Sequence, residues 1–170
     1  MLYLTYAASF ISLILGIIEP FAQKMQTVLI LSFLSNFLVG ISYFFTSSES
    51  TSGAVICFIA CIQVIINYFF DRKEKKIPMA LIVIYALSFI IVSIKVYSAW
   101  FDAFSFAATM LYVASMVQTK VSYYRVLYAL NSSCWIIYDL FSGSYPILTT
   151  HIILAVFTFA AMFINRKKEA

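Results

Sequence analysis

A chain of 170 residues that is 64% hydrophobic and only 11% charged, with a mean hydropathy of +0.98, has too little polar surface to cover a water-soluble globule. It is expected to be an integral membrane protein, and its net charge of +4 then reflects the placement of basic loops and implies no nucleic acid. A helix crosses a bilayer in about 20 apolar residues, so the length accommodates several crossings and leaves no room for an extramembrane domain.

Charges and helix breakers divide the chain into seven apolar spans, 2–18, 27–45, 53–70, 77–94, 99–117, 121–141 and 145–164. The first has no basic residue ahead of it and no small-residue cleavage site, so it reads as a retained helix and not a signal peptide. Open strands would leave edge hydrogen bonds unmade in lipid, and the spans are too long for barrel strands. All are therefore expected to be helices. With the C-terminus cytoplasmic and the N-terminus outside, Lys24, Arg72, Lys73, Lys75, Lys76, Lys120, Arg125, Arg166, Lys167 and Lys168 fall inside, and only Lys95 lies outside. This is the positive-inside pattern. Cys57, Cys61 and Cys134 lie within spans and are expected to be free thiols.

The second half repeats the first at a shift of 95. Gln23 pairs with Gln118, Asn36 with Asn131, Tyr43 with Tyr138 and Ser47 with Ser142. Each copy holds three spans and the span 77–94 separates them. One extra crossing between two three-helix units makes them parallel, whereas direct succession would invert them. The expected organisation is a first triple-helix bundle in 1–72, an inversion linker helix in 73–96 and a second bundle in 97–170.

The run Ser133, Cys134, Trp135, Ile136, Ile137, Tyr138, Asp139, Leu140, Phe141, Ser142, Gly143, Ser144 resembles the corresponding stretch of the bacterial inner-membrane YgjV family. Members pair Cys-Trp with an aromatic residue or His three residues on, followed by Gly-Ser. That family in turn is similar to the SWEET, SemiSWEET and PQ-loop transporters, whose three, one and three helices match the layout above. The resemblance implies a substrate-facing set in the second bundle, with Trp135, Tyr138 and Pro146 at the spacing of those sugar facilitators and His151 where they carry an Asn. In the first copy Gly40 stands opposite Trp135 and Ile56 opposite His151, so an asymmetric pocket is expected. Pro20 with Gln23 is similar to, but does not reproduce, the Pro-Gln hinge of that group.

Several residues carry candidate roles on their own chemistry. His151, the single histidine, can donate and accept at once, to a substrate hydroxyl or a proton relay, or it can bond to Thr149, Thr150 or a backbone carbonyl. Asn36 and Asn131 must find partners in an apolar span, in a binding site or as interhelical glue. Trp135 offers a ring face to a substrate or packs against a helix. Asp102 and Asp139, near the ends of their spans, suit ion or proton coupling, or are solvated or paired with Lys95. Glu19, before Pro20, reads equally as part of a gate or as an ion pair with Lys24. Gln63 and Asn67 share a helix face and could line a path.

No nucleophile, base and orienting group recur at a recognisable spacing, and no phosphate loop or metal-ligand spacing is present. The chain is expected not to be an enzyme, with no cofactor and no metal. The expected function is movement of a small polar metabolite across the inner membrane. Substrate-binding candidates are Trp135, His151, Asn131, Asn36, Tyr138 and Tyr43, and gating or coupling candidates are Glu19, Pro20, Asp102 and Asp139. Alternatives are a solute-binding subunit of a larger uptake complex and a structural or receptor protein with a dry, filled interface. Expected partners are the lipid bilayer and a small-molecule solute, with homo-oligomerisation left open.

Overall fold

A computed structural model describes residues 2–46, 50–118 and 121–169, with side chains from 3 to 164 within those segments. Ser47 and Lys120 lie outside the described residues, as do the side chains of Arg166, Lys167 and Lys168. Within them the regular structure consists of α1 (Leu2–Ile18), α2 (Met25–Thr46), α3 (Thr51–Arg72), α4 (Met79–Val96), α5 (Asp102–Met116), α6 (Val121–Ser142) and α7 (Tyr145–Glu169). A 3-10 turn, Glu19–Phe21, follows α1.

Five segments are long and apolar enough to cross a membrane: Tyr3–Phe21, Met25–Thr46, Thr51–Arg72, Met79–Val96 and Tyr145–Ile164. Helix α5 has 15 residues, a rise of about 22 Å against a hydrocarbon core of about 30 Å. Helix α6 has 22 residues, but it carries Arg125, Asn131 and Asp139, all buried inside the protein. Those groups lower its mean hydropathy although lipid never meets them.

Helices consecutive in the chain are neighbours in space. α1 packs on α2, α2 on α3, α5 on α6 and α6 on α7, while α4 lies against α3 and α5, and α7 closes back on α1. The packing thus runs round a ring and includes an α1–α7 seam between the two halves. The radial pattern is inverted relative to a soluble protein. Tyr3, Ile94 and Phe163 face outward, while Glu19, Gln63 and Asp139 are buried. Lipid rewards outward apolar groups and forces polar ones to pair inside.

Two sequence features explain the closest helix contacts. Thr5, Ser9, Ser12 and Gly16 recur every three or four residues on the buried face of α1, the spacing of one helix face. Ser9 Oγ meets Ser42 Oγ at 2.7 Å and Ser42 donates to the Thr5 carbonyl at 3.2 Å, so small polar residues let α1 and α2 approach. In α2, a Cβ at Gly40 would stand 3.2 Å from the Phe58 ring and 3.3 Å from Cys57 Cβ. Gly40, opposite Trp135 in the repeat, therefore serves close α2–α3 packing.

The connections at one end are tight. Gly143 adopts φ 72° and Ser144 N donates to the Asp139 carbonyl at 3.0 Å, a left-handed helix stop that turns α6 directly into α7. At the same end Asp102 Oδ2 accepts from Ser98 N at 2.8 Å and Ala99 N at 2.9 Å. This folds 98–101 into a turn, so α5 begins three residues later than the apolar span.

Candidate functional site

A cavity with both polar and apolar walls occupies the middle of the ring. Its wall includes Glu19 beyond α1, Ser32, Ser35 and Asn36 of α2, Ile56 and Cys57 of α3, Thr109 and Tyr112 of α5, Tyr128, Asn131, Ser132 and Trp135 of α6, and His151 and Leu154 of α7. Both copies of the repeat contribute. The space open to the centre of a water molecule is ≈ 40 Å³, on the order of three waters.

One end is closed by an aromatic and carboxylate network. The rings of Trp135 and His151 stack at 5.8 Å with an interplanar angle of 16°, and behind them His151 Nδ1 lies 2.6 Å from Asp139 Oδ2. Tyr43 donates its hydroxyl to Asp139 Oδ1 at 2.5 Å. With Nδ1 engaged by the carboxylate, Nε2 is the ring nitrogen left for a further partner. Tyr43 and Tyr138, equivalent in the repeat, meet edge to face at 5.9 Å. The Tyr138 hydroxyl lies 2.7 Å from Ser52 Oγ, which donates to Asp102 Oδ1 at 2.8 Å. Asp102 and Asp139 thus terminate two adjacent hydrogen-bonded chains.

Glu19 closes the opposite end. It is buried, and its Oε1 accepts from both the Ser32 and the Tyr124 hydroxyls. Tyr124 stacks on Tyr128 at 5.4 Å. Arg125 Nε donates to the Pro20 carbonyl at 2.9 Å, which ties the 3-10 turn to α6. Tyr124 and Asp139 are 15 residues apart on α6, so the two ends stand about 22 Å apart along the helix axis.

The candidate residues are distributed in layers. Asn36, Asn131, Trp135, His151 and Glu19 line the cavity itself. Tyr43, Tyr138 and Asp139 stand behind Trp135 and His151, Asp102 lies one step further out, and Pro20 acts through its carbonyl. His151 bonds to Asp139, whereas Thr149 and Thr150 donate to the Tyr145 and Pro146 carbonyls. Asp102 and Asp139 are 3% and 0% exposed, which replaces the reading of them as solvated carboxylates. Lys24 is exposed, and Glu19 bonds instead to hydroxyls across the ring. Arg125, expected at the inner boundary as a topological charge, is buried.

Sequence reading passed over Ser32, Tyr112, Tyr124, Tyr128, Thr109 and Ser52. A signal existed for part of this set. Tyr124, Tyr128, Asn131, Trp135, Tyr138 and Ser142 recur at three or four residues along α6 and are all buried, a polar-aromatic face. Gln63 and Asn67 lie on the inner face of α3. Asn67 Oδ1 accepts from Tyr85 at 3.1 Å, while both amide atoms of Gln63 and Nδ2 of Asn67 are buried with no protein partner. Asn67 also borders a second, wider cavity with Asp71, Lys75, Lys76 and Gln118 at the end of the ring that carries the basic residues. The three cysteines are free thiols.

These features define a multi-helix membrane protein with polar groups gathered in its interior. The chain belongs to the Imp-YgjV family, described as bacterial inner membrane protein, whose match covers residues 3–168. No curated protein and no solved structure matches it.

Proposed function

We propose that the protein is a transporter or facilitator that moves a small polar metabolite through the central cavity. The observation that carries this reading is one cavity, between the two halves, walled by polar groups from both copies of the repeat. Buried amides and carboxylates around the cavity each carry a desolvation cost, which hydrogen bonds to a polar solute would offset. Trp135, His151, Asn131 and Asn36 bind the solute. Tyr43 and Tyr138 fix the Trp135 and His151 rings. Glu19, Pro20, Asp102 and Asp139 gate or couple the movement, and no enzymatic step, cofactor or metal is assigned.

The same proposal places the N-terminus outside and the C-terminus in the cytoplasm, with the lipid bilayer and the solute as partners. It organises the chain as 1–72, the linker 73–96 and 97–170, two parallel three-helix units in the manner of the SWEET-like transporters. Its support is the meeting of Tyr43 and Tyr138. Equivalent residues near the C-terminal ends of α2 and α6 touch at one depth, which parallel copies facing one another allow.

Shrinkage and re-swelling of proteoliposomes after a hyperosmotic step with glycerol, urea, methylammonium or glycine tests the function. Wild-type protein should accelerate re-swelling for one class of solute, and His151→Ala should abolish the acceleration. Identical re-swelling with wild-type protein, with the variant and with empty liposomes overturns the proposal.

A further inference from the structure

The cavity wall has a hydrogen-bonding polarity. Ser32 donates to Glu19, Ser35 to the Ser12 carbonyl at 3.5 Å, Thr109 to the Ser105 carbonyl at 2.7 Å and Ser132 to the Tyr128 carbonyl at 3.0 Å. A hydroxyl has one hydrogen, so each of these groups leaves only lone pairs to a ligand. Asn36 directs its Nδ2 to the Ser32 carbonyl at 2.8 Å and to the Tyr112 hydroxyl at 3.1 Å, which uses both amide hydrogens and leaves its carbonyl. Asn131 Nδ2 is bound to the Ala108 carbonyl at 2.6 Å. The Nδ1 of His151 is likewise engaged, by Asp139 Oδ2 at 2.6 Å.

The charge and the aromatic surface agree with that polarity. Among the described residues, Glu19 is the one carboxylate in the cavity wall and no Lys or Arg lines it, whereas Tyr112, Tyr128 and Trp135 do. A carboxylate with aromatic rings and oxygen lone pairs attracts a nitrogen cation, through Coulomb attraction and ring quadrupoles. The same wall repels an anion and leaves a carbonyl-rich neutral solute with few donors, the Trp135 indole and the tyrosine hydroxyls. A space of ≈ 40 Å³ for water centres selects a compact ligand.

We propose that the central cavity binds a small ammonium-type cation, ammonium or a short primary amine, with Glu19 as its counter-charge and the seryl, threonyl and asparaginyl oxygens as acceptors of its N–H groups. This names the substrate class of the transport reading and rests on the cavity being its solute site.

The test uses methylammonium chloride with the purified full chain in detergent at constant ionic strength. Saturable thermal stabilisation is expected, competed by ammonium and unaffected by acetate or formamide, and Glu19→Gln should weaken it at least about tenfold, the loss of one charge-assisted contact. Because Glu19→Gln can fail to fold, a Trp100→Phe background leaves Trp135 as the sole indole, and its fluorescence should respond to methylammonium with the same midpoint. No saturable response in either measurement, or equal affinity in wild type and a folded Glu19→Gln, overturns the proposal; a cavity that serves protons alone gives that result. Flux of methylammonium into liposomes made from the same preparation separates the two readings. Binding without flux overturns transport and supports the cation site, whereas flux of urea or glycerol without cation binding overturns the cation site alone.

Discussion

Replacing Tyr43 by Phe removes one oxygen from the most densely bonded part of the protein. The ring stays, so its contacts to Trp135 at 5.8 Å and Tyr138 at 5.9 Å are kept and the loss isolates the bond to Asp139 Oδ1. Tyr43 and Asp139 are both 0% exposed, so no solvent takes the place of the missing hydroxyl. A hydrogen bond to a charged group contributes about 1.5–3 kcal/mol in soluble proteins, while bonds between membrane helices average about 0.6 and reach about 1.7 kcal/mol. The lower average arises because the unfolded chain in lipid finds other partners. Asp139 in the folded state has only His151 left, so a loss of about 1.5 kcal/mol or more is expected, at the top of the membrane range. The coupling to His151→Ala should be larger still, because both donors serve one carboxylate. The first substitution leaves Asp139 one partner and the second leaves it none. Steric-trapping measurements of unfolding in bicelles for the two single variants and the double variant supply the cycle. Additivity within about 0.3–0.5 kcal/mol, or a Tyr43→Phe loss inside that error, refutes the shared network.

Gln63→Leu removes a buried amide with no protein partner and should leave stability unchanged or raise it by up to about 2 kcal/mol; re-swelling assays on the same variant should show slower flux if the α3 face carries solute, and a destabilised protein contradicts the assignment. Asp102→Ala strips the acceptor from Ser98 N, Ala99 N and Ser52, and should cost about 2–4 kcal/mol, from three lost bonds to one buried carboxylate, read as a lower melting temperature in detergent. Gly40→Leu pushes a side chain into Phe58 and Cys57, and should destabilise by about 1–3 kcal/mol, whereas Ser133→Ala, whose Oγ only donates to its own helix, should change little. A melting curve for Gly40→Leu that matches wild type removes the close α2–α3 approach from the account.

Much of the fold is legible in local sequence, and the reason is the solvent. Lipid requires apolar side chains over a helix length, so the span 2–18 coincides with α1 and 121–141 lies within one residue of α6. Basic clusters and the 95-residue shift are one-dimensional signals too. Where they weaken, the cause is again physical: α5 is shortened by Asp102 folding back on Ser98 and Ala99, and α6 fails as an apolar span because its polar face is shielded by other helices. Of the site, Trp135, His151, Asn36 and Asn131 stand out as polar or aromatic groups in apolar surroundings. Ser32, Thr109 and Tyr112 look ordinary until their partners are known.

What the sequence determined by itself is therefore what depends on the bilayer acting on one helix at a time: an all-α membrane chain and the approximate extent of its helices. Only the tertiary structure decided which polar groups meet. Asp139 acquires Tyr43 from 96 residues away and Glu19 acquires Tyr124 from 105 residues away, pairings that no local pattern encodes. They form because a buried polar group in lipid must be satisfied by whichever helix the ring brings beside it. That same packing turns the hydroxyl hydrogens of Ser32, Thr109 and Ser132 away from the cavity.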